Sequence, residues 1–206
     1  MLEMAKRSSI VAHEADHRRM RRMQSHAFSD RALAQQEGFL QKHVRNLVRA
    51  LEGLTSEGPA IVPIMQYYNF ATFDLIGDLA FGHSFDCLDS GKMHPWVAIT
   101  FDFIKMMEYM RCTRIFPTIE KLLALVIPAS LKKIRVDHAQ FSVDRVKERL
   151  KMNTDRKDFL SYIIDQKGEK NMTEDELNEN AGILVLAGSE TVGTTAHIFY
   201  RVGDKH

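Results

Sequence analysis

Two places in this 206-residue chain set reactive groups at spacings that chemistry can use. In Ala187-Gly188-Ser189-Glu190-Thr191 a carboxylate stands directly before a hydroxyl, just after a small, flat patch of side chains. In His13-Glu14-Ala15-Asp16-His17 two imidazoles lie four positions apart, so on a helix both can reach one zinc ion, with Glu14 as general base on metal-bound water. The residues that follow, Arg18-Arg19-Met20-Arg21-Arg22, oppose a zinc metallopeptidase: cations repel the metal, and a buried site helix should be apolar. That run offers guanidinium groups instead, which are fixed-geometry binders of carboxylate and phosphate. A non-enzymatic helical binding module built on it is a third reading. Against nucleic acid as its partner stands the balance of 28 basic and 27 acidic residues, with a net charge of +1.

The elements that must position these groups read as helices. Thr173-Glu174-Asp175-Glu176 has the spacing of a capping box, so a helix starts near Thr173. Its continuation, Ala181 to Gly188, is apolar on every side, which predicts a central helix buried all round. Gly188 and the hydroxyls of Ser189, Thr191, Thr194 and Thr195 weaken that helix locally and predict a bend or opened turn. Leu33, Leu40, Val44, Leu47, Val48 and Leu51 form a stripe that predicts an amphipathic helix lying against a core. In Asn69 to Gly82, Phe73, Ile76 and Ala80 share one side, Gly77 permits close approach, and Gly82 is a stop. Another helix is expected from Pro95, with Trp96, Ile99, Phe103 and Met106 on one side. Leu131 to Met152 predicts a long, surface-lying helix with a narrow stripe at Ile134, Phe141 and Val146, and Phe159 to Ile164 a short one. The fold class is all-α. With 45% hydrophobic and 27% charged residues the chain can bury a sizeable core. Cys87 and Cys112 are too few for a disulfide framework and suit a reducing compartment. No stretch reaches the roughly 18 apolar residues of a membrane span, and the start lacks a signal-peptide core. The expected location is intracellular.

The pentad resembles the oxygen-binding helix of the haem-thiolate monooxygenases, the cytochrome P-450 family. His17-Arg18-Arg19-Met20-Arg21-Arg22 followed by Ser25-His26-Ala27-Phe28-Ser29 is similar to that family's third major helix and its exit, and Asn69 to Gly82 to its fifth helix, especially in fungal members. The resemblance covers the chain up to about Thr195. It implies haem as cofactor, with Ala187 and Gly188 leaving room for dioxygen, and Glu190 and Thr191 relaying protons for O–O cleavage. It also implies that His17 and Arg21 hold a haem propionate. The family reaction is insertion of one oxygen atom into a small lipophilic substrate, fed by a flavoprotein reductase. Members are often anchored in the endoplasmic reticulum membrane, although this chain carries no anchor. Val192 departs from the hydroxyl residue the family often places there. Phe101, Phe103, Met106 and Met107 lie where the family roofs its substrate pocket, although core packing suits them better.

The family's iron is held by a cysteine in a glycine-rich loop after the oxygen helix. No such loop occurs here. Cys87 and Cys112 both precede that helix and lack the glycine spacing, so neither carries over as the axial ligand. Glu108-Tyr109-Met110-Arg111 matches the family's Glu-x-x-Arg letters on the wrong side of the helix. The expectation is a single partial domain over residues 1–206, truncated at both ends, on the C-terminal side by a misread intron or premature stop, with 196–206 a divergent tail. Such a segment should be inactive alone and poorly soluble, because its apolar central helix would be exposed.

Overall fold

A computed structural model describes residues 8–10, 12–98, 129–152, 154–164 and 171–203, without side chains at 129–135 and 137–139. The described chain is all helix and connecting turns. Helix α1 (Glu14–Ser25) leads through a 3-10 turn (His26–Phe28) into α2 (Asp30–Thr55). Then come α3 (Ile64–Phe81), the short α4 (Cys87–Ser90), α5 (Ala129–Lys151), α6 (Phe159–Ile164) and α7 (Glu174–Gly203). None of the helices among the described residues is long and apolar enough to cross a membrane.

The scaffold of the molecule is α3. Its C-terminal half is buried nearly all round, from Phe70 to Phe81, and it packs along α7 on one side and α2 on another. Gly82 ends it as the sequence predicts: φ is +76°, a left-handed conformation that a side chain disfavours, and its N–H donates to the Asp78 carbonyl at 3.1 Å. Gly77 allows the approach of the Phe85 ring, since a Cβ there would lie 2.6 Å from Phe85 Cε2. Phe85 stacks on Trp96 at 5.4 Å and Trp96 on Phe141 of α5 at 4.8 Å. These rings close one end of the core.

Three expectations need correction. The stripe on α2 is turned away from the core: Leu33, Leu40, Val44 and Val48 are exposed. The buried face is instead Ala32, Gln36 and His43, backed by Phe39, Leu47 and Ala50. Gln36 and His43 are tolerated there because each has a partner, the Ala27 carbonyl at 3.1 Å and Asp78 Oδ2 at 2.9 Å. Secondly, α5 is more than a surface helix. Val146 and the guanidinium stem of Arg149 are buried, and Phe141 joins the ring stack. Thirdly, α7 runs unbroken from Glu174 to Gly203 with no opened turn, and it is not buried all round. Ser189 and Thr195 donate to the carbonyls four residues back, at 2.6 and 2.7 Å, so their hydroxyls are absorbed by the helix rather than prising it open. The expected positions of Ile99, Phe101, Phe103, Met106, Met107, Glu108, Arg111 and Cys112 lie outside the described residues, as does the side chain of Ile134.

A buried ionic network ties α2, α3, α5 and α6 together. Arg149 Nε and Nη2 donate to the two oxygens of Asp158 at 2.8 and 3.0 Å, and both residues are almost wholly shielded. Arg156 bridges Asp158 Oδ2, at 3.1 Å, to Asp78 Oδ1, at 2.6 Å, and stacks over the Phe39 ring. Asp158 also accepts the Ser161 N–H at 2.9 Å and so caps α6. Burial works to raise Asp78, but the His43 hydrogen bond and the Arg156 charge outweigh it and hold this carboxyl below the usual range.

Candidate functional site

The N-terminus of α7 is fixed by the predicted capping box: Thr173 Oγ1 accepts the Glu176 N–H at 3.3 Å, and Glu176 Oε2 accepts the Thr173 N–H at 2.9 Å. Glu176 is shared, for Arg19 of α1 donates to its Oε1 at 2.5 Å. Asn180, one turn on, accepts the Ser9 N–H at 3.0 Å. Helix α1 is thereby held against the start of α7.

From this anchored end α7 crosses α3 at Gly188. A Cβ there would lie 2.8 Å from Ile76 Cδ1, so the missing side chain is what lets the two helices approach. The neighbouring face, with Ala187 and Thr191 exposed, borders an apolar groove of about 360 Å³ whose walls include Phe28, Leu75, Leu79, Phe159 and Leu184. Thr191 follows Ala187 by one turn and is exposed, while Glu190 lies on another side of the helix, and neither is part of the groove's lining. Thr191 Oγ1 donates to the Ala187 carbonyl at 2.5 Å, while Glu190 is half-buried and its Oε2 is sealed from solvent without a partner.

The first cluster is less uniform. His17 is half-buried and spends Nδ1 on the Ser9 carbonyl at 2.5 Å, whereas Arg21 is exposed. Glu14 pairs with Arg18, and His13 faces solvent. With one histidine committed to the backbone and the glutamate to an arginine, the zinc arrangement is not assembled. Among the described residues no three potential ligands converge.

Could these residues accept a flat macrocycle with an iron at its centre? Small residues at Ala187 and Gly188 border an apolar groove, and Arg21 of α1 offers an exposed guanidinium that suits a carboxylate. The axial sulfur is another matter. Cys87 is fully buried, and burial in the company of Asp74 pushes its thiol up to about 12, so it stays protonated and does not offer the thiolate that iron needs. Its surroundings explain it structurally: Asp74 Oδ1 and Oδ2 accept the Cys87 and Leu88 N–H groups, both at 2.9 Å, fixing the start of α4.

Two polar residues at the helix seam escaped the sequence reading. Gly193 sits over Asn69, whose Oδ1 a Cβ would meet at 2.4 Å, and Asn69 shares a cavity of about 490 Å³ with His197 and Pro63 to Gln66. The glycine one turn beyond the acid was the available signal, since small residues inside a helix mark close approach.

Comparison with known proteins accounts for this combination. Residues 3–202 match the family model described as Cytochrome P450. The chain is 41% identical over 185 residues to the Aspergillus oryzae protein named Cytochrome P450 monooxygenase astJ, covering 90% of this chain and 37% of that one. It is 38% identical over 186 residues to the averantin hydroxylase of Dothistroma septosporum, covering 90% and 35%. With the trichothecene C-15 hydroxylase of Fusarium sporotrichioides the identity is 37%, over 87% of this chain and 37% of that one. The chain therefore spans little more than a third of the length of these relatives. The crystal structure of the cytochrome P450DA heme domain superposes with a TM-score of 0.65 at 17% identity, covering 89% of this chain and 40% of that one. A mutant of the same domain reaches 0.70 at 16% identity, over 98% and 44%.

Proposed function

The chain belongs to the cytochrome P450 family, and from that premise we propose that it forms the oxygen-side portion of a haem monooxygenase domain in which Cys87 is not the axial ligand. The observation that carries this reading is the succession of Glu190 and Thr191 on an unbroken helix whose small residues, Ala187 and Gly188, border an apolar groove. Haem, when bound, supplies the iron at which dioxygen is activated for insertion into a substrate. The chain's own residues bind, exclude water and move protons. Arg21 pairs with a propionate carboxylate through its exposed guanidinium, and His17, with Nδ1 already held, has Nε2 left for the same carboxylate. The groove walls keep bulk water off the reacting face. Thr191, released from the Ala187 carbonyl, offers its hydroxyl proton beside the groove, and Glu190, carried on another side of the helix, replaces that proton by way of solvent. A small lipophilic substrate and electrons from a flavoprotein reductase complete the proposal; two relatives bear the name hydroxylase, the reaction class this reading expects.

Titration of the purified chain with haem tests the reading. Haem should bind, and Arg21→Ala should weaken binding about tenfold, the worth of a charge-assisted hydrogen bond of about 1.5 kcal/mol. The reduced, carbon-monoxide-bound spectrum should lack a thiolate-type Soret band, with or without Cys87→Ser. Haem affinity indifferent to Arg21→Ala would remove the propionate role, and a thiolate band lost in Cys87→Ser would overturn the account of that cysteine.

A further inference from the structure

Ser9 is held on both sides of its Cα. Its N–H donates to Asn180 Oδ1 at 3.0 Å, and its carbonyl meets His17 Nδ1 at 2.5 Å. The direction of each bond is fixed by chemistry. Asn180 is buried in α7 and spends Nδ2 on the Glu176 carbonyl at 2.7 Å, so Oδ1 is the atom that accepts from Ser9. A carbonyl oxygen only accepts, so Nδ1 of His17 carries a proton. The neutral ring is thereby held as its Nδ1–H tautomer, with a bare lone pair at Nε2.

A lone pair repels a carboxylate instead of binding it. With Nδ1 committed to Ser9, Nε2 can donate only when the ring holds a second proton. Building on the propionate role proposed for His17, we infer that this chain takes up a proton together with its haem. His17 meets the propionate as an imidazolium, and Ser9 and Asn180 are the positioning residues that impose this requirement. The proton comes from solvent and stays on Nε2, so the ring gains one positive charge against the carboxylate. Among the described residues the acids that flank the ring are already paired. On α1, Glu14 is taken by Arg18 and Asp16 by Arg19, while His13 and Arg21 stand one turn to either side of His17 and His26 follows in the 3-10 turn. From α7 comes Glu176, which Arg19 also neutralises, and from α6 Tyr162, whose hydroxyl donates to Gln35 Oε1 at 2.5 Å.

The first measurement needs no haem. In the full chain labelled with ¹⁵N-histidine, the His17 signals, identified by their loss in His17→Gln, should show a protonated Nδ1 and a bare Nε2 once the ring is neutral. The reverse tautomer, or a mixture of the two, overturns the inference. Haem titrations between about pH 5 and 8 should then show affinity full at the acid end and falling about tenfold as the ring loses its proton. For a tenfold change, binding at the middle of that fall should consume about half a proton, read by calorimetry in buffers of different ionisation enthalpy. In His17→Gln, whose amide donates at every pH, the fall should vanish while most of the affinity remains. Asn180→Leu should flatten the profile by raising affinity at the alkaline end, because a released ring can turn a neutral Nε2–H to the carboxylate. If that variant unfolds, Ser9→Pro, which deletes the same N–H, serves in its place. A loss of affinity equal at every pH would make Asn180 merely structural and remove its positioning role. A profile already flat in the unaltered chain overturns the proton uptake and leaves the monooxygenase reading standing, whereas haem that binds at no pH removes both.

Discussion

Gly188 can be asked directly whether it exists to let helices touch. Gly188→Ala should gain about 1 kcal/mol from helix propensity, because glycine loses more freedom in a helix interior than alanine does. Against that gain stands the collision of the new methyl, 2.8 Å from Ile76 Cδ1 and 3.1 Å from Cγ1. Both atoms belong to a side chain buried in the core of α3, where overpacking costs about 1–3 kcal/mol. The single variant should therefore lie between neutral and about 2 kcal/mol less stable. Ile76→Val removes the closer atom at its own cost of about 0.5–1.5 kcal/mol. Made together, the two changes should be less harmful than their sum by about 1 kcal/mol, since the second relieves the strain of the first. Urea unfolding followed by far-ultraviolet circular dichroism on the four chains gives the cycle, provided the slopes agree. Additivity within about 0.5 kcal/mol would refute the contact. A Gly188→Ala chain more stable by the full propensity gain would show that nothing presses on that position, leaving space for a ligand as the sole reason for a glycine there.

Other outcomes follow from the same structure. Asp158→Ala should destabilise the chain by about 3–5 kcal/mol, because it strands Arg149 in the interior and removes the cap of α6, and this is measurable as a lost urea transition. For Asp78 the folded pKa lies below the unfolded one, so its contribution is present above the unfolded value and disappears as pH falls through the folded value. The acid limb of stability should thus steepen below about pH 4 and flatten in Asp78→Asn; an unchanged limb would contradict the ion pairing. Thr191→Ala should leave stability unchanged or raise it by about 0.5 kcal/mol, since the residue is exposed and alanine is the better helix former, and a loss above 1 kcal/mol would mean that the hydroxyl is structural. Native Cys87 should resist thiol reagents at pH 8 until the chain unfolds, and rapid labelling would contradict its burial.

What could be read from residue order alone depended on how local the physics was. Gly82, the Thr173–Glu176 box and the bounds of α6 were legible because a stop, a cap and a short apolar run act within one turn of chain. The facing of α2 was not. Apolarity pointed to Leu33, Leu40 and Val44, whereas the interior took Gln36 and His43, because partners distant in sequence made those polar groups cheap to bury. Asp158 and Arg149 were invisible for the same reason. The acid–alcohol pair was legible as a motif, but its setting was not: an apolar run cannot say which of its faces is covered, and α7 leaves Ala187 exposed. Asn69 and His197 carry no pattern of their own, and only the packing of one helix on another brings them to the same cavity.

Glu176 serves two masters, the N-terminus of its own helix and Arg19 of α1. From that shared carboxylate to Glu190 is an unbroken run of about 21 Å at helical rise. The ion pair is therefore a fastening far from the pentad that it orients. Replacing Arg19 would loosen α1 from the start of α7 without altering any residue of the pentad, and an insertion of one residue anywhere between Glu176 and Glu190 would turn the pentad by about 100° relative to that fastening.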